Sequence, residues 1–310
     1  MARIVLAGGS GFLGGLLTPA LLAAGHEVVI LARRPHRRLD AARELQWDGK
    51  ILGAWAAALE GAHAVINLAG KNVNCRYTPR ARHEILRSRL DSVDALAAAI
   101  QKCTSPPKVF VQCASAAIYG NAGEEPLEES VAPHPPQDED PFSPDVCRAW
   151  EAAVQGASLP QTRKIILRIG FVLHAGGGAL RTLARITHCF MGGRAGPGTQ
   201  FMSWLHHEDF TRILLDIVAA PERFQGVYLA VSPSPTRNGD FMRALRHALH
   251  RPWSPPAPIW AIRLACLLMR TEPELALRSR RCIPRRLLVE QGFAFRHGSI
   301  VPALKSCFAR

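Results

Sequence analysis

Short apolar runs and amphipathic stretches alternate along the first 170 residues of the chain. Apolar runs of strand length lie at 3–8, 27–33, 63–70, 108–115 and 164–170, with a weaker one at 43–47. Stretches with the length or period of a helix separate them, at 12–24, 79–100 and 144–158. Apolar strands that alternate with helices are typical of a parallel sheet covered on both faces. The pattern therefore predicts an α/β fold built on a doubly wound parallel sheet.

The pattern loosens after residue 175. Glycine-rich loops flank a helical stretch at 179–190, one further strand is predicted at 226–232, and short helices with proline-rich joints make up most of the rest. We expect two domains, residues 1–175 around the sheet and a smaller, mainly helical lobe over 176–310, with some crossing of the chain between them. The apolar run 259–269 is too short to cross a bilayer and contains Arg263, so no membrane span is predicted.

The uncharged stretch from Leu6 to Gly25 has two interpretations. It has the length and the small-residue end of a secretory signal. It also places Gly8, Gly11 and Gly14 at three-residue spacing between a predicted strand and a predicted helix. There the first glycine allows a tight turn, the second lets the backbone approach a pyrophosphate, and the third lets the helix pack closely. A helix start also offers free N–H groups to phosphates. Because a second strand follows, the context favours a dinucleotide-binding loop.

The end of the second predicted strand indicates which dinucleotide binds. Sites for NAD usually carry an acid there, which accepts a hydrogen bond from the ribose 2′-hydroxyl. Here Arg33 and Arg34 follow the strand, and the next acid is Asp40. Two forked guanidinium groups suit a 2′-phosphate. We therefore predict NADP(H) as the cofactor, the alternative being two solvated arginines in a turn.

Composition adds a compartment and a question about partners. The formal charge is +13, and the densest basic run is "RSRRCIPRR" at 278–286. Such a run suits an anionic partner, but no aromatic residue is interleaved there to stack bases, so a solvated helical face is favoured and nucleic acid is not expected. The eight cysteines form no Cys-x-x-Cys motif, which favours reduced thiols in a cytoplasmic protein. The sequence is compatible with a homodimer and names no substrate.

Three motifs carry a family resemblance: "GGSGFLG" at 8–14, "NLAG" at 67–70 and "CASAAIYG" at 113–120. With them the chain resembles the extended short-chain dehydrogenases/reductases, and within these the atypical, sugar-nucleotide-epimerase-like "epimerase family" proteins of the YfcH type. Supporting stretches, among them "SRL" at 88–90 and "PRRLLVEQGFAF" at 284–295, follow in order along nearly the whole chain. The resemblance implies a Rossmann-type NADP domain with a smaller C-terminal lobe that closes over a substrate cleft.

The resemblance also assigns residues to the cofactor. It places four residues along the pyrophosphate: Gly8, Gly11, Phe12 and Leu13. It places three more near the adenosine ribose: Leu68, Ala69 and Gly70. Ser115 falls where the superfamily carries its catalytic Ser or Thr and could also bind the nicotinamide amide. The nicotinamide side is assigned to Arg168, Ile169 and Gly170.

The chain departs from the superfamily at its proton chemistry. The usual Tyr and Lys, four residues apart on a helix, are missing, because none of the three tyrosines is followed at that spacing by Lys. Alignment on Glu151 puts Ser143 and Cys147 in their places. The lysine normally lowers the tyrosine pKa so that it can act as a base near neutral pH. Neither replacement can reproduce that pair.

Other side chains are candidates for a different chemistry. We predict Ser115 and Tyr119 as catalytic residues, and Trp204 and His206 of "SWLHHEDF" as substrate-cleft residues. Each has a plainer alternative as a packed or hydrogen-bonded core residue. No metal site is predicted, because no strand or helix spacing brings a third ligand to the two histidines. The acidic, proline-rich segment 124–141 is either a lid over the cleft or a mobile surface loop.

Two functions remain open from the sequence. One is an NADP(H)-dependent oxidoreductase or epimerase that acts on a carbonyl or sugar-nucleotide-like substrate with an atypical active site. The sugar nucleotide is an analogy from the superfamily name only. The other is a non-catalytic NADPH-binding sensor or scaffold protein, which the missing Tyr and Lys favour.

Overall fold

The computed structural model describes residues 1–133 and 140–309. Seven parallel strands form its main sheet: β1 (Arg3–Ala7), β2 (Glu27–Ala32), β3 (Arg43–Gln46), β4 (Ala64–Asn67), β5 (Val109–Ser115), β7 (Arg163–Ile169) and β11 (Gly226–Ala230). Short strands make three two-stranded pairs outside it: β6 (Pro126–Leu127) with β13 (Arg281–Cys282), β8 (Phe171–Leu173) with β10 (Trp204–His206), and β9 (Phe201–Met202) with β12 (Thr236–Arg237).

The described residues form ten α-helices: α1 (Phe12–Ala23), α2 (Pro79–Gln101), α3 (Phe142–Gly156), α4 (Gly178–His188), α5 (His207–Ala219), α6 (Asn238–Ala248), α7 (Ile259–Met269), α8 (Glu274–Leu277), α9 (Arg285–Val289) and α10 (Ile300–Phe308). The main sheet has the order β11-β7-β5-β4-β1-β2-β3, and every pairing in it is parallel. The predicted doubly wound α/β fold is therefore confirmed.

The two faces of the sheet are buried by different helices. Alternate residues of one strand point to opposite faces, so Ile4 and Leu6 of β1 pack with α1 and α5, and Val5 packs with α2 and α3. All three side chains have no exposed surface. Strands covered on both sides explain why their sequences read as continuous apolar runs.

The C-terminal part of the chain has its own core and also returns to the sheet. Helices α4, α6 and α10 bury a cluster that contains Trp204 and Phe241. Helix α5 and strand β11, which lie beyond residue 175, complete the first core instead. The boundary at residue 175 stays a prediction, and the chain crosses between the two cores more than once. No helix in the described ranges is long and apolar enough to cross a membrane.

Candidate functional site

The loop between β1 and α1 depends on glycine at two of its three spaced positions. Gly8 has a φ of +75°, and a Cβ placed on it would lie 2.8 Å from the Cα of Ala69. A Cβ on Gly14 would lie 2.1 Å from the carbonyl oxygen of Gly9. Real Cβ atoms do not come this close to other atoms. Glycine at position 8 therefore lets the loop after β4 pack against this loop, and glycine at position 14 lets the first turns of α1 pack against Gly9. The loops around residues 8 and 69 therefore form one surface.

The N-terminus of α1 is left open for an anion. Gly11 is its N-cap, with extended backbone and no side-chain cap, and the first turn carries no acidic residue. Phe12 and Leu13 are the first two helical residues, so no carbonyl of a preceding helical turn accepts a hydrogen bond from their backbone N–H groups. Together with the helix dipole, this geometry fits a pyrophosphate group.

A second glycine-rich loop packs against Phe12 at the start of α1. A Cβ on Gly177 would lie 2.4 Å from Cδ2 of Phe12, and one on Gly178 would lie 2.8 Å from its Cε1. The segment "HAGGGAL" thus supplies the room that the Phe12 ring needs. Sequence reasoning treats this segment as a loop between elements, and its glycines are the signal that could identify it as part of the site.

A buried amide network shapes the loop at 68–70. Asn67 donates to the side-chain oxygen of Gln112 at 2.9 Å and to Ser92 at 3.2 Å, and its own oxygen accepts the N–H of Ala69 at 3.0 Å. The three side chains are fully buried. Because buried polar groups are costly unless they are paired, this network holds Leu68, Ala69 and Gly70 in one conformation. Leu68 and Ala69 are partly exposed and Gly70 is exposed.

Arg33 and Arg34 lie directly after β2 and are exposed. Neither pairs with a carboxylate in the described part of the chain, whereas Arg38 in the same loop pairs with Asp40 and Glu44. Arg33 lines a cavity of about 550 Å³ together with the segment from Gln46 to Asp48 and the segment from Ile51 to Trp55. Two cations without a carboxylate partner at the carboxyl end of β2, one of which lines a cavity, suit a phosphorylated ribose.

Ser115 ends β5 and is partly exposed at the same edge of the sheet. Its hydroxyl oxygen accepts the N–H of Ala117 at 3.1 Å, which leaves its O–H to donate elsewhere. Tyr119 is placed differently. Its O–H donates to the carbonyl of Glu128 at 2.9 Å and accepts from Arg168 at 2.7 Å, and burial raises its pKa to about 12 although Arg168 opposes the shift.

The side chain of Arg168 points into the protein. Its guanidinium makes a two-pronged contact with Glu151, at 2.9 Å for each pair of atoms, and both side chains are more than nine-tenths buried. Tyr119 completes this group. Because its side chain is used in this way, Arg168 could contact a nicotinamide only through its backbone. Ile169, which follows it, is buried. Gly170 comes next. A Cβ on Gly170 would lie 2.5 Å from the carbonyl oxygen of Ser203.

Ser143 and Cys147, which the alignment on Glu151 puts at the positions of the missing Tyr and Lys, both lie on α3. The Cys147 thiol is buried, and burial raises its pKa to about 11, against the lowering effect of Arg89. A thiol that stays protonated at neutral pH cannot lower the pKa of a neighbour as a lysine ammonium does. The superfamily's proton chemistry therefore has no equivalent on this helix.

Trp204 and His206 are both fully buried. The indole N–H of Trp204 donates to the carbonyl of Ser234 and to the hydroxyl of Thr236, at 3.1 and 3.0 Å. His206 caps α5, its Nδ1 accepting the N–H of Glu208 at 3.3 Å. Side chains without exposed surface do not reach a substrate in this conformation. The contacts of Trp204 and His206 are those of packed, hydrogen-bonded core residues.

The fold brings His297 and Glu208 next to His206, a grouping that the sequence spacing did not predict. His297 stacks on His206 with a ring separation of 3.6 Å, and its Nε2 lies 3.1 Å from Glu208. One ligand atom from each of these three residues lies within 4.8 Å of the others. The absence of a metal site stays a prediction. His206 Nδ1 accepts a hydrogen bond, so the neutral ring carries its proton on Nε2 and offers no second lone pair.

The acidic segment 124–141 and the basic run 278–286 bind each other. Strand β6 pairs with β13, Glu128 pairs with Arg285, and Glu129 accepts the N–H groups of Leu229 and Arg286. Residues 134–139 lie outside the described residues, so the choice between a lid and a mobile loop stays open for them. Much of the basic run is thus used in contacts within the chain.

The sequence of this chain is similar to those of known proteins. The model of the NAD dependent epimerase/dehydratase family matches residues 4–229, and a domain of unknown function, DUF1731, matches residues 257–307. The epimerase family protein SDR39U1 of Homo sapiens is 33% identical over 312 residues, covering 99% of this chain and 100% of that protein. The epimerase family protein MT2273 of Mycobacterium tuberculosis is 31% identical over 304 residues, covering 98% of this chain and 96% of the relative.

Solved structures agree with these relatives. The crystal structure of human SDR39U1 (isoform 2) with NADPH has a TM-score of 0.85 and 32% identity, and covers 99% of each chain. A nucleoside-diphosphate sugar epimerase from Corynebacterium glutamicum has a TM-score of 0.76 and 27% identity, over 99% of this chain and 58% of that one. The resemblance stated from the sequence motifs is confirmed. The chain belongs to the NAD-dependent epimerase/dehydratase family.

Proposed function

We propose that this protein binds NADP(H) and transfers hydride between it and a carbonyl or alcohol carbon. The observation that carries the proposal is the pair of unpaired arginines, Arg33 and Arg34, beside a glycine loop with an open helix N-terminus. The first feature suits a 2′-phosphate and the second a pyrophosphate. The NADPH in the crystal structure of human SDR39U1 supports the same cofactor.

Substitution of both arginines tests the cofactor. We expect Arg33→Ala/Arg34→Ala to weaken NADPH binding by at least about tenfold, since hydrogen bonds between charged groups contribute about 1.5–3 kcal/mol. NADH, which has no 2′-phosphate, should bind both proteins equally. Fluorescence titration of the two cofactors gives the comparison. Arg37→Ala, an exposed arginine in the same loop, is the matched control. Equal losses for NADPH and NADH would contradict the assignment.

Ser115 is our candidate for the group that stabilises the reacting oxygen. NADPH, when bound, supplies the hydride. A hydroxyl at the carboxyl end of β5 that is still able to donate can hydrogen-bond the carbonyl oxygen and the alkoxide into which it develops. The proton that the alkoxide needs comes, in this proposal, from water. We leave Tyr119 out of that role, because both hydrogen-bonding directions of its hydroxyl are already used.

One observation favours the second candidate, a sensor or scaffold that binds NADPH without turnover. The positions of the Tyr and Lys hold Ser143 and Cys147, and the thiol of Cys147 stays protonated at neutral pH. A panel of sugar-nucleotide and simpler carbonyl compounds separates the candidates. Loss of NADPH absorbance that depends on the carbonyl compound and falls in Ser115→Ala supports the enzyme. Tight NADPH binding with no consumption across the panel supports the sensor.

A further inference from the structure

Helix α2 carries four arginines, and one of them differs from the others. Three pair with carboxylates: Arg80 with Glu84, Arg82 with Asp140, and Arg87 with Asp91. The fourth, Arg89, has no carboxylate partner among the described residues. It is partly buried, and burial lowers its pKa. A cation taken out of water without a counter-charge is costly, so a position of this kind suits an arginine that binds an anion.

The position of Arg89 is fixed by neighbours that are not anions. One nitrogen, Nη1, donates to the carbonyls of Ile85 at 2.9 Å and Lys71 at 3.3 Å. The guanidinium carbon lies 5.0 Å from the centre of the Trp150 ring. A Cβ on Gly70 would lie 3.4 Å from the same carbon. The group is therefore held between α2, α3 and the loop after β4, with its plane fixed before any ligand arrives.

The guanidinium of Arg89 keeps two unused donors. Its Nε and Nη2 groups have no acceptor in the described ranges, and they form the edge of the guanidinium that binds two oxygens at once. The face of the Trp150 ring lies against the guanidinium and leaves this edge free. An oxyanion is the ligand that accepts from such an edge.

We propose that Arg89 is the anion-binding residue of the substrate subsite, and that the substrate carries a carboxylate or a phosphate. The inference rests on the proposed function, and it deepens that function by naming the substrate's charge. Cys147, at the superfamily's lysine position, is close enough to Arg89 for the two to interact. The cofactor's own phosphates have other partners, at Gly8–Leu13 and at Arg33 and Arg34.

The test uses inorganic phosphate as the probe and the full chain saturated with NADPH, so that phosphate cannot occupy the cofactor loops. Calorimetric titration should show Arg89→Gln binding phosphate at least about tenfold more weakly than wild type, since a two-pronged charged contact is lost. Arg87→Gln is the matched control, because it removes the same charge from the same helix at an exposed position. It should change the affinity less than twofold.

Several results would overturn the proposal. These are a wild-type protein that does not bind phosphate, equal affinities in Arg89→Gln and Arg87→Gln, and an NADPH affinity that falls tenfold in Arg89→Gln. The last would assign the guanidinium to the cofactor. If Arg89→Gln does not fold by circular dichroism, Arg89→Lys decides, since it keeps the charge without the fork. It should bind phosphate more weakly than wild type, and an unchanged affinity counts against the proposal.

The same titrations test the anion-binding subsite independently of the proposed function. Phosphate binding is also measured without NADPH in the Arg33→Ala/Arg34→Ala protein, which lacks the two arginines that suit a 2′-phosphate. A loss that still follows Arg89 supports the subsite whatever the cofactor result. A chain that binds phosphate through Arg89 but does not bind NADPH overturns the proposed function alone.

Discussion

His206 is a buried histidine that stays neutral. Burial, with the nearby His207 and His297, lowers its pKa to about 3. Its ring lies 4.3 Å from that of His207, whose pKa is also lowered, chiefly by burial. In the unfolded chain both rings take their ordinary pKa near 6.5. Acid therefore favours the unfolded chain, because it binds protons there that the folded chain cannot accept.

This predicts a stability that falls as the pH drops below about 6.5. The contribution of His206 is complete above that value and is lost toward its folded pKa of about 3. Each such histidine adds a slope of about 1.4 kcal/mol per pH unit. His206→Asn keeps an oxygen that can cap α5 but removes the titrating group, so its stability should depend less steeply on pH.

Urea unfolding at several values between pH 7.5 and 5 gives the slopes. His188→Asn, an exposed histidine at the end of α4, is the control and should keep the wild-type slope. Equal slopes in wild type and His206→Asn would mean that His206 does not resist protonation in the fold.

The residues that the sequence could single out are those whose predicted role depends on a local pattern. Gly8 and Gly14 follow from a spacing within one turn, and Arg33 and Arg34 from their place after a strand. Arg89 and His297 gain their significance from partners far along the chain. Besides Ile85 on its own helix, Arg89 contacts a loop 18 residues earlier and a ring on α3, and His297 meets Glu208 across 89 residues. No local pattern contains those distances.

At the scale of elements, strand β7 and helix α3 are joined by the buried pair of Arg168 and Glu151. Glu151→Gln removes one charge and leaves the other buried, so we expect a loss of about 3–5 kcal/mol in the free energy of unfolding. Replacing both with apolar residues, Arg168→Met/Glu151→Leu, should recover much of that loss, because no unpaired charge remains. Urea unfolding measures both.

The control lies on the same helix. Asp145 and Arg148 form an exposed pair, and Asp145→Asn should cost no more than about 0.5 kcal/mol. If Glu151→Gln costs as little as Asp145→Asn, the buried pair does not join the two elements.

Most elements with a long apolar pattern were predicted within a few residues. The strands from β1 to β5 and β7, and helices α1, α2 and α3, agree with the sequence pattern. The strands other than β3 are buried almost throughout and therefore appear as apolar runs. The pairing of β6 with β13 was not predicted. Each has two residues, too few for any period, and the pair forms only because the two segments meet in the folded chain.

For the whole molecule, the two cores share residues of both proposed domains. Phe210, Ile213 and Tyr228 lie beyond residue 175 but are buried in the same cluster as Ile4 and Leu6. We therefore expect the full chain to unfold in a single transition. Scanning calorimetry should give a calorimetric enthalpy equal to the van't Hoff enthalpy. NADPH at 100 times its Kd should stabilise the whole chain by about 2.7 kcal/mol.

Two transitions, with only one shifted by NADPH, would contradict this expectation. They would also support the boundary at residue 175 as a true division between independently folding units. The calorimetric experiment thus tests whether the change in sequence pattern after residue 175, which predicts two domains, also divides the chain into two units that fold independently.

The place of β11 at the edge of the sheet has a consequence during synthesis. Strand β7 is complete at residue 169, but the strand that covers its outer edge begins at residue 226. While the intervening residues leave the ribosome, an apolar strand with unpaired N–H and C=O groups faces solvent. During that interval the exposed edge of the nascent chain is open to pairing with another chain, and a chaperone that covers it would protect the chain from aggregation.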